Sequence, residues 1–130
     1  MLVVDANVVL GASAMKDGFS LFGGEELVAP PLLWPEARSA LHVSLWRGLI
    51  SREVGDRSLS ILESGRVRER GHRRLGREAW RIADELGWAK TYDAEYLALA
   101  FLVDGRLVTF DRRLLRAAER LGLATGIPLQ

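Results

Sequence analysis

The chain has 130 residues, a mass of 14.4 kDa and a net charge of +1, and 48% of its residues are hydrophobic. That is the length of one domain with enough apolar content for a single core, which excludes a wholly disordered polypeptide. No apolar run approaches the roughly 20 residues that a membrane-spanning helix needs, and the absence of cysteine excludes disulfides, thiolate zinc sites and cysteine nucleophiles together.

Met1–Val4 reads as a strand buried on both faces and ended by Asp5. An acid at position 5 and no basic lead-in predict a first strand here rather than a secretory leader, and a cytoplasmic location. Leu27–Ala29 reads as a second strand, closed by Pro30 and Pro31. A helix should follow on the stripe Leu33, Ala37, Ala40, Leu41, Ser44 and Leu45, with Pro35 in the first turn, where its missing N–H has no intrahelical partner. Ser51 caps the next helix, which carries Leu59, Ile61 and Leu62 and stops at Gly65. Leu75, Ala79, Ile82, Ala83 and Leu86 mark another, closed by Gly87. Ala94, Leu97, Ala98, Phe101 and Leu102 mark one more, capped by Thr91 or Asp93 and closed at Gly105.

Arg106–Phe110 is the next expected strand, and Asp111 opens a last helix with Leu114, Leu115, Ala118 and Leu121 inward. Ala124–Leu129 adds a short edge strand, the one place where Pro128 is tolerable. Trp34, Trp46, Trp80 and Trp88 are expected in the core or between helices, and His42 and His72 as structural or solvated groups. Strands alternating with helices predict an α/β fold of three layers, α/β/α, around a mainly parallel sheet of four to five strands, in one domain over 1–130.

Charge is unevenly spread. Residues 1–36 carry one base against five acids, and residues 37–90 twelve bases against seven acids. Seven arginines crowd into 66–81 (66, 68, 70, 73, 74, 77 and 81), so the chain has an acidic head and a basic middle. In a parallel sheet, functional groups gather where strands end and the following helices start. Asp5 and Asp111 each follow a strand directly, Glu36 lies in the first turn of the helix after the second strand, and Asp93 at the start of another helix. These four carboxylates should converge.

Capping or dipole complementation explains Asp93, Asp111 and Glu36 one at a time. The joint arrangement explains more. Clustered carboxylates cannot all stay ionised without a cation among them, and an oxygen-only set favours Mg2+ or Mn2+. Such an ion polarises a phosphodiester and lowers the pKa of a bound water. A nucleic acid approaching an anionic site needs bases on its rim, and Arg112, Arg113, Arg73, Arg74 and Arg77 are candidates. Asn7 and Thr109 are supporting polar residues, each with an ordinary local role open to it.

Four motifs, VVDANV at 3–8, PPLLWPEARSAL at 30–41, TYDAEYLALA at 91–100 and LVTFDRRLLRAA at 107–118, together resemble a PIN domain, in particular the toxin of a VapBC-type toxin–antitoxin pair. The resemblance spans nearly the whole chain. It implies an α/β/α sandwich and a Mg2+- or Mn2+-dependent ribonuclease. It also implies a homodimer silenced by a cognate antitoxin protein that obstructs the acidic pocket. On this resemblance Asp5, Glu36, Asp93 and Asp111 match the family's four acids in order, with Asp5 and Asp93 the most direct metal ligands. It lends no support to the arginines of 66–81.

Two other functions stand beside this one. The same fold without chemistry would be an RNA- or partner-binding module, against which all four acids are present. A haloacid-dehalogenase-type phosphatase also has an Asp after its first strand. It wants an acid two residues on, where Asn7 stands, and a lysine near the phosphate, and the only lysines are Lys16 and Lys90.

Overall fold

Three-residue runs of aliphatic side chains with nothing polar among them are at home only where both faces of a strand are covered. In the computed structural model, which describes residues 1–127, β1 (Leu2–Val4) and β2 (Leu27–Ala29) are buried throughout. After β1 come α1 (Ala6–Ala14) and a 3-10 turn over Gly18–Phe22, and after β2 come α2 (Leu33–Trp46) and α3 (Arg52–Leu62). Then follow β3 (Arg68–Glu69), α4 (Leu75–Leu86), α5 (Tyr92–Leu102), β4 (Arg106–Val108) and α6 (Arg112–Arg120).

The sheet has the order β3-β2-β1-β4, every pair parallel, with Val3 registered against Val28 and Leu107. From β1 the chain steps outward to β2 and β3, then returns to the other side of β1 as β4. Right-handed crossovers therefore place the helices of the outward steps on one face and α4 and α5 on the other. The contacts agree: α1 packs with α2 and α3, while α4 packs on α5 and α5 lies against β1 and β4. The result is the expected α/β/α layering, and the reversal of strand order falls between β1 and β4. A crevice opens there, beyond the carboxyl ends of the strands.

Several elements differ from expectation, each for a local reason. α1 shows no amphipathic stripe because ANVVLGASA is apolar nearly all round. β3 carries only two charged, exposed side chains and joins β2 through its backbone alone. β4 ends at Val108, so Thr109 and Phe110 leave the ladder. Beyond α6, Leu107 forms a single parallel bridge to Thr125, while Pro128 and Leu129 of the expected edge strand lie outside the described residues.

α2 buries Leu33 and Ala37, but its second half runs out to the surface, where Ala40 and Val43 are exposed. Trp46 and Trp80 are not core residues at all, being 81% and 68% exposed. Trp34 is part-buried and its Nε1 donates to the Leu62 carbonyl at 3.3 Å, tying α2 to α3. Between α1 and β2 the chain folds back so tightly that a Cβ on Gly18 would lie 2.1 Å from the Ala12 carbonyl oxygen. Among the described residues no helix is long and apolar enough to cross a membrane.

Candidate active site

Asp5, Glu36, Asp93 and Asp111 line one cavity of about 200 Å³, together with Asn7 and Tyr96. Their positions follow from the elements. Asp5 leaves β1 and is the N-cap of α1, its Oδ1 accepting from the Val8 backbone N–H at 3.0 Å. Asp111 leaves the β4 segment and caps α6, with Oδ1 accepting from the N–H groups of Arg113 at 2.8 Å and Leu114 at 3.2 Å. Glu36 sits in the first turn of α2. Asp93 does not cap α5: Thr91 holds the N-cap position without a side-chain bond, and Asp93 lies inside the first turn. Capping thus accounts for part of Asp5 and Asp111 and for none of Asp93.

Thr109 joins the two strand-end acids. Its hydroxyl donates to Asp5 Oδ2 and accepts from the Asp111 backbone N–H at 3.0 Å. Asp5 is buried, and burial is the strongest influence on its carboxyl, pushing it above the ordinary aspartate range. The bonds from Thr109 and Val8 pull the other way, while Asp111 and Asp93 repel the charged form and raise it further. That mutual repulsion is the electrostatic signature of shared space.

Sequence reasoning missed the residue that holds Glu36. Tyr96, fully buried, donates its hydroxyl to Glu36 Oε1 at 2.7 Å. Burial, and then the bond to Glu36, push the phenol far above its usual range, so it stays a donor. A signal existed: a tyrosine inside the apolar run of α5 needs a partner for its O–H, and position 96 is three residues from Asp93, on the same helical face. Glu95, also missed, is raised by partial burial and by Glu36.

The donor set is chemically suited to a hard cation: four carboxylates and one amide oxygen, with neither histidine nor thiolate among the lining residues. Each oxygen of Asp5 accepts one bond and keeps a second lone pair. Among the described residues no three acids already stand close enough to grip one ion. Mg2+ usually keeps several waters and takes only one or two carboxylates directly, so a loose, roomy pit is compatible with it.

On the rim, Arg113 lies 3.5 Å from Asp93 Oδ2, with its guanidinium carbon 4.2 Å from the centroid of the Trp88 ring. Arg112 is exposed beside it. Of the arginines in 66–81, Arg68 pairs with Glu26, Arg81 with Glu78 and Glu85, and Arg66 lies over Phe19. Arg73, Arg74 and Arg77 are exposed and make no ion pair among the described residues.

No curated protein matches the sequence. The crystal structure of PAE2754 from Pyrobaculum aerophilum is similar, with a TM-score of 0.73 and 29% sequence identity over 95% of this chain and 89% of that chain. The PIN domain family matches residues 2–120. Its members are usually nucleases that depend on divalent metal and act on RNA. The parallel sheet, the pit at its strand ends and this match over most of the chain agree: the protein belongs to the PIN domain family.

Proposed function

We propose that the pit is the catalytic centre of a Mg2+- or Mn2+-dependent endoribonuclease, and that the protein is the toxin of a toxin–antitoxin pair. One observation carries the first half: four carboxylates from four distant stretches of chain line a single cavity. Asp5 and Asp93 would hold the ion directly, with Glu36 and Asp111 completing the pit directly or through water. The bound ion supplies a Lewis acid for the phosphodiester and a water of lowered pKa. The chain's own residues do the positioning: Val8 and Thr109 fix Asp5, Tyr96 fixes Glu36, and the α6 N-terminus fixes Oδ1 of Asp111. Arg112, Arg113, Arg73, Arg74 and Arg77 are the candidates to counter the phosphate charge. The phosphatase alternative lapses with family membership.

The second half rests on the resemblance and on surface. Trp46, Leu49 and Leu59 are exposed around α2 and α3, and Trp80 and Phe101 on α4 and α5. Apolar faces of this kind suit an antitoxin and a second copy of the chain.

The test is direct. Purified protein should cut RNA internally with Mg2+ or Mn2+, stop in EDTA and recover when the metal is returned. Asp93→Asn should lower the rate at least about 100-fold, since loss of even an outer partner of a metal ligand costs about 10–100-fold. Undiminished cleavage in EDTA overturns the metal mechanism, and an RNA complex with no cleavage in any metal leaves the binding-module alternative standing. Tyr96→Phe tests the positioning of Glu36. It should raise the metal concentration for half-maximal cleavage about 10-fold or more, while metal-free stability falls by only about 1–2 kcal/mol. Equal metal dependence in both proteins would assign Tyr96 to packing.

A further inference from the structure

Among the described residues, Asp5, Glu36 and Asp111 each accept hydrogen bonds from neutral donors, whereas Asp93 is held by Arg113 alone, at 3.5 Å. Arg113 also gives its backbone N–H to Asp111 Oδ1 at 2.8 Å, so one residue in the first turn of α6 touches two of the four acids. Its guanidinium carbon lies 4.2 Å from the centroid of the Trp88 ring, in the connection between α4 and α5. Ring and carboxylate thus hold the guanidinium from two sides. Asp93 stands on the wall between the pit and a neighbouring hollow, which Arg113 and Lys90 also line. Its carboxylate is turned to the arginine, and among the described residues no three acids gather closely enough to grip one ion.

A cluster of carboxylates needs a cation to stay ionised, and the chain carries one of its own. We infer that Arg113 is a positioning residue for Asp93: its guanidinium, seated on Trp88, holds that carboxylate at the rim until a divalent ion draws it inward, and so sets how tightly the metal binds. The magnitudes suit a latch that yields. The side chains of Arg113 and Asp93 are 55% and 44% exposed, and ion pairs so open to water are weak and screened. Stacking on the ring strengthens the hold by only about 2- to 5-fold. A hard divalent ion brings twice the charge and bonds carboxylate oxygen directly, so it displaces the guanidinium rather than being shut out. Lys90 gauges the effect of charge alone, because it lines the same hollow and makes no ion pair among the described residues. The inference rests on the metal-dependent reading of the pit and adds to it the residue that tunes metal affinity.

The experiment is calorimetric titration of the purified chain with Mn2+, without RNA and at one ionic strength, for wild type, Trp88→Leu, Arg113→Ala and Lys90→Ala. Trp88→Leu leaves every charge in place, so altered through-space repulsion cannot account for a change. It should tighten Mn2+ binding about 2- to 5-fold, the worth of the stack. Arg113→Ala loses both stack and ion pair and should tighten it by at least about 5-fold, with Lys90→Ala clearly behind. Trp88 packs partly against the core, so melting in EDTA confirms that each variant is folded at the titration temperature. Arg113 and Lys90 are exposed, and their variants decide the matter should Trp88→Leu not fold. Wild-type affinity in folded Trp88→Leu or Arg113→Ala, or a Lys90→Ala that matches Arg113→Ala, overturns the inference and leaves the metal reading intact. If neither wild type nor any variant binds Mn2+ or Mg2+, the metal reading falls and takes the inference with it.

Discussion

Asp5→Asn should abolish cleavage and at the same time make the metal-free protein more stable at neutral pH. The activity loss, at least about 100-fold, follows from removing the most buried of the four carboxylates and with it a charge for the cation. The stability gain follows from burial. The folded protein holds Asp5 above its unfolded pKa, so its contribution to stability is complete only below the unfolded value and fades as pH rises through the raised one. At pH 7 the ionised group opposes folding, and the amide removes that opposition. The bonds survive: Asn is as good an N-cap as Asp, and the Thr109 hydroxyl can reverse to accept from the new amide. Wild type in EDTA should therefore melt below D5N at pH 7, with the gap closing on acidification towards pH 4. Added Mg2+ at 100 times its dissociation constant should stabilise the wild type by about 2.7 kcal/mol, raising its melting temperature, and barely move D5N. A metal response shared equally by both proteins would show that the ion binds elsewhere.

The second large effect is structural. Gly18→Ala should destabilise the domain by about 3 kcal/mol, the upper end of the cost of overpacking, because the new methyl would sit 2.1 Å from the Ala12 carbonyl oxygen and 2.8–2.9 Å from the carbonyl carbon and Cα. These are backbone atoms at the end of α1, and no rotamer change moves them. The opposite end of that helix is Asp5, so pushing the 3-10 turn off α1 loosens the support of the pit. Melting temperature should fall by about 10 °C or more, while Mg2+-dependent activity survives in whatever fraction stays folded at low temperature. Gly76→Ala is the control. It lies in α4 with nothing within 4 Å of an added Cβ and should be neutral or stabilise by up to about 1 kcal/mol. Equal melting of G18A and G76A would mean that the turn relaxes freely.

The acids could be read from the sequence because each stands at a boundary between elements. Asp5 ends β1, Asp111 follows β4 three residues on, and Glu36 and Asp93 stand in the first turns of α2 and α5, so topology alone brought all four to one edge. What stayed hidden lacked such a boundary. The apolar run of α1 has no polar face to betray its period, and β3 is a backbone pairing whose side chains carry no strand signal. Tyr96 passed for core because its ring is core; only its hydroxyl belongs to the site. Trp46 and Trp80 show the converse error, in which size was taken for burial. The Arg113–Trp88 stack joins residues 25 positions apart in sequence and needed coordinates to be seen.

The two margins of the sheet have a consequence for how copies of this chain can meet. One margin is a dipeptide, Arg68–Glu69, whose ionised side chains stand in water. The other is overlaid by the stretch around Thr125, whose bridge engages Leu107. Among the described residues a neighbouring molecule therefore finds no long bare ribbon of amides to extend, the usual seed of fibrous misassembly. A contact between copies would instead have to use the helical flanks, where it could close into a finite particle.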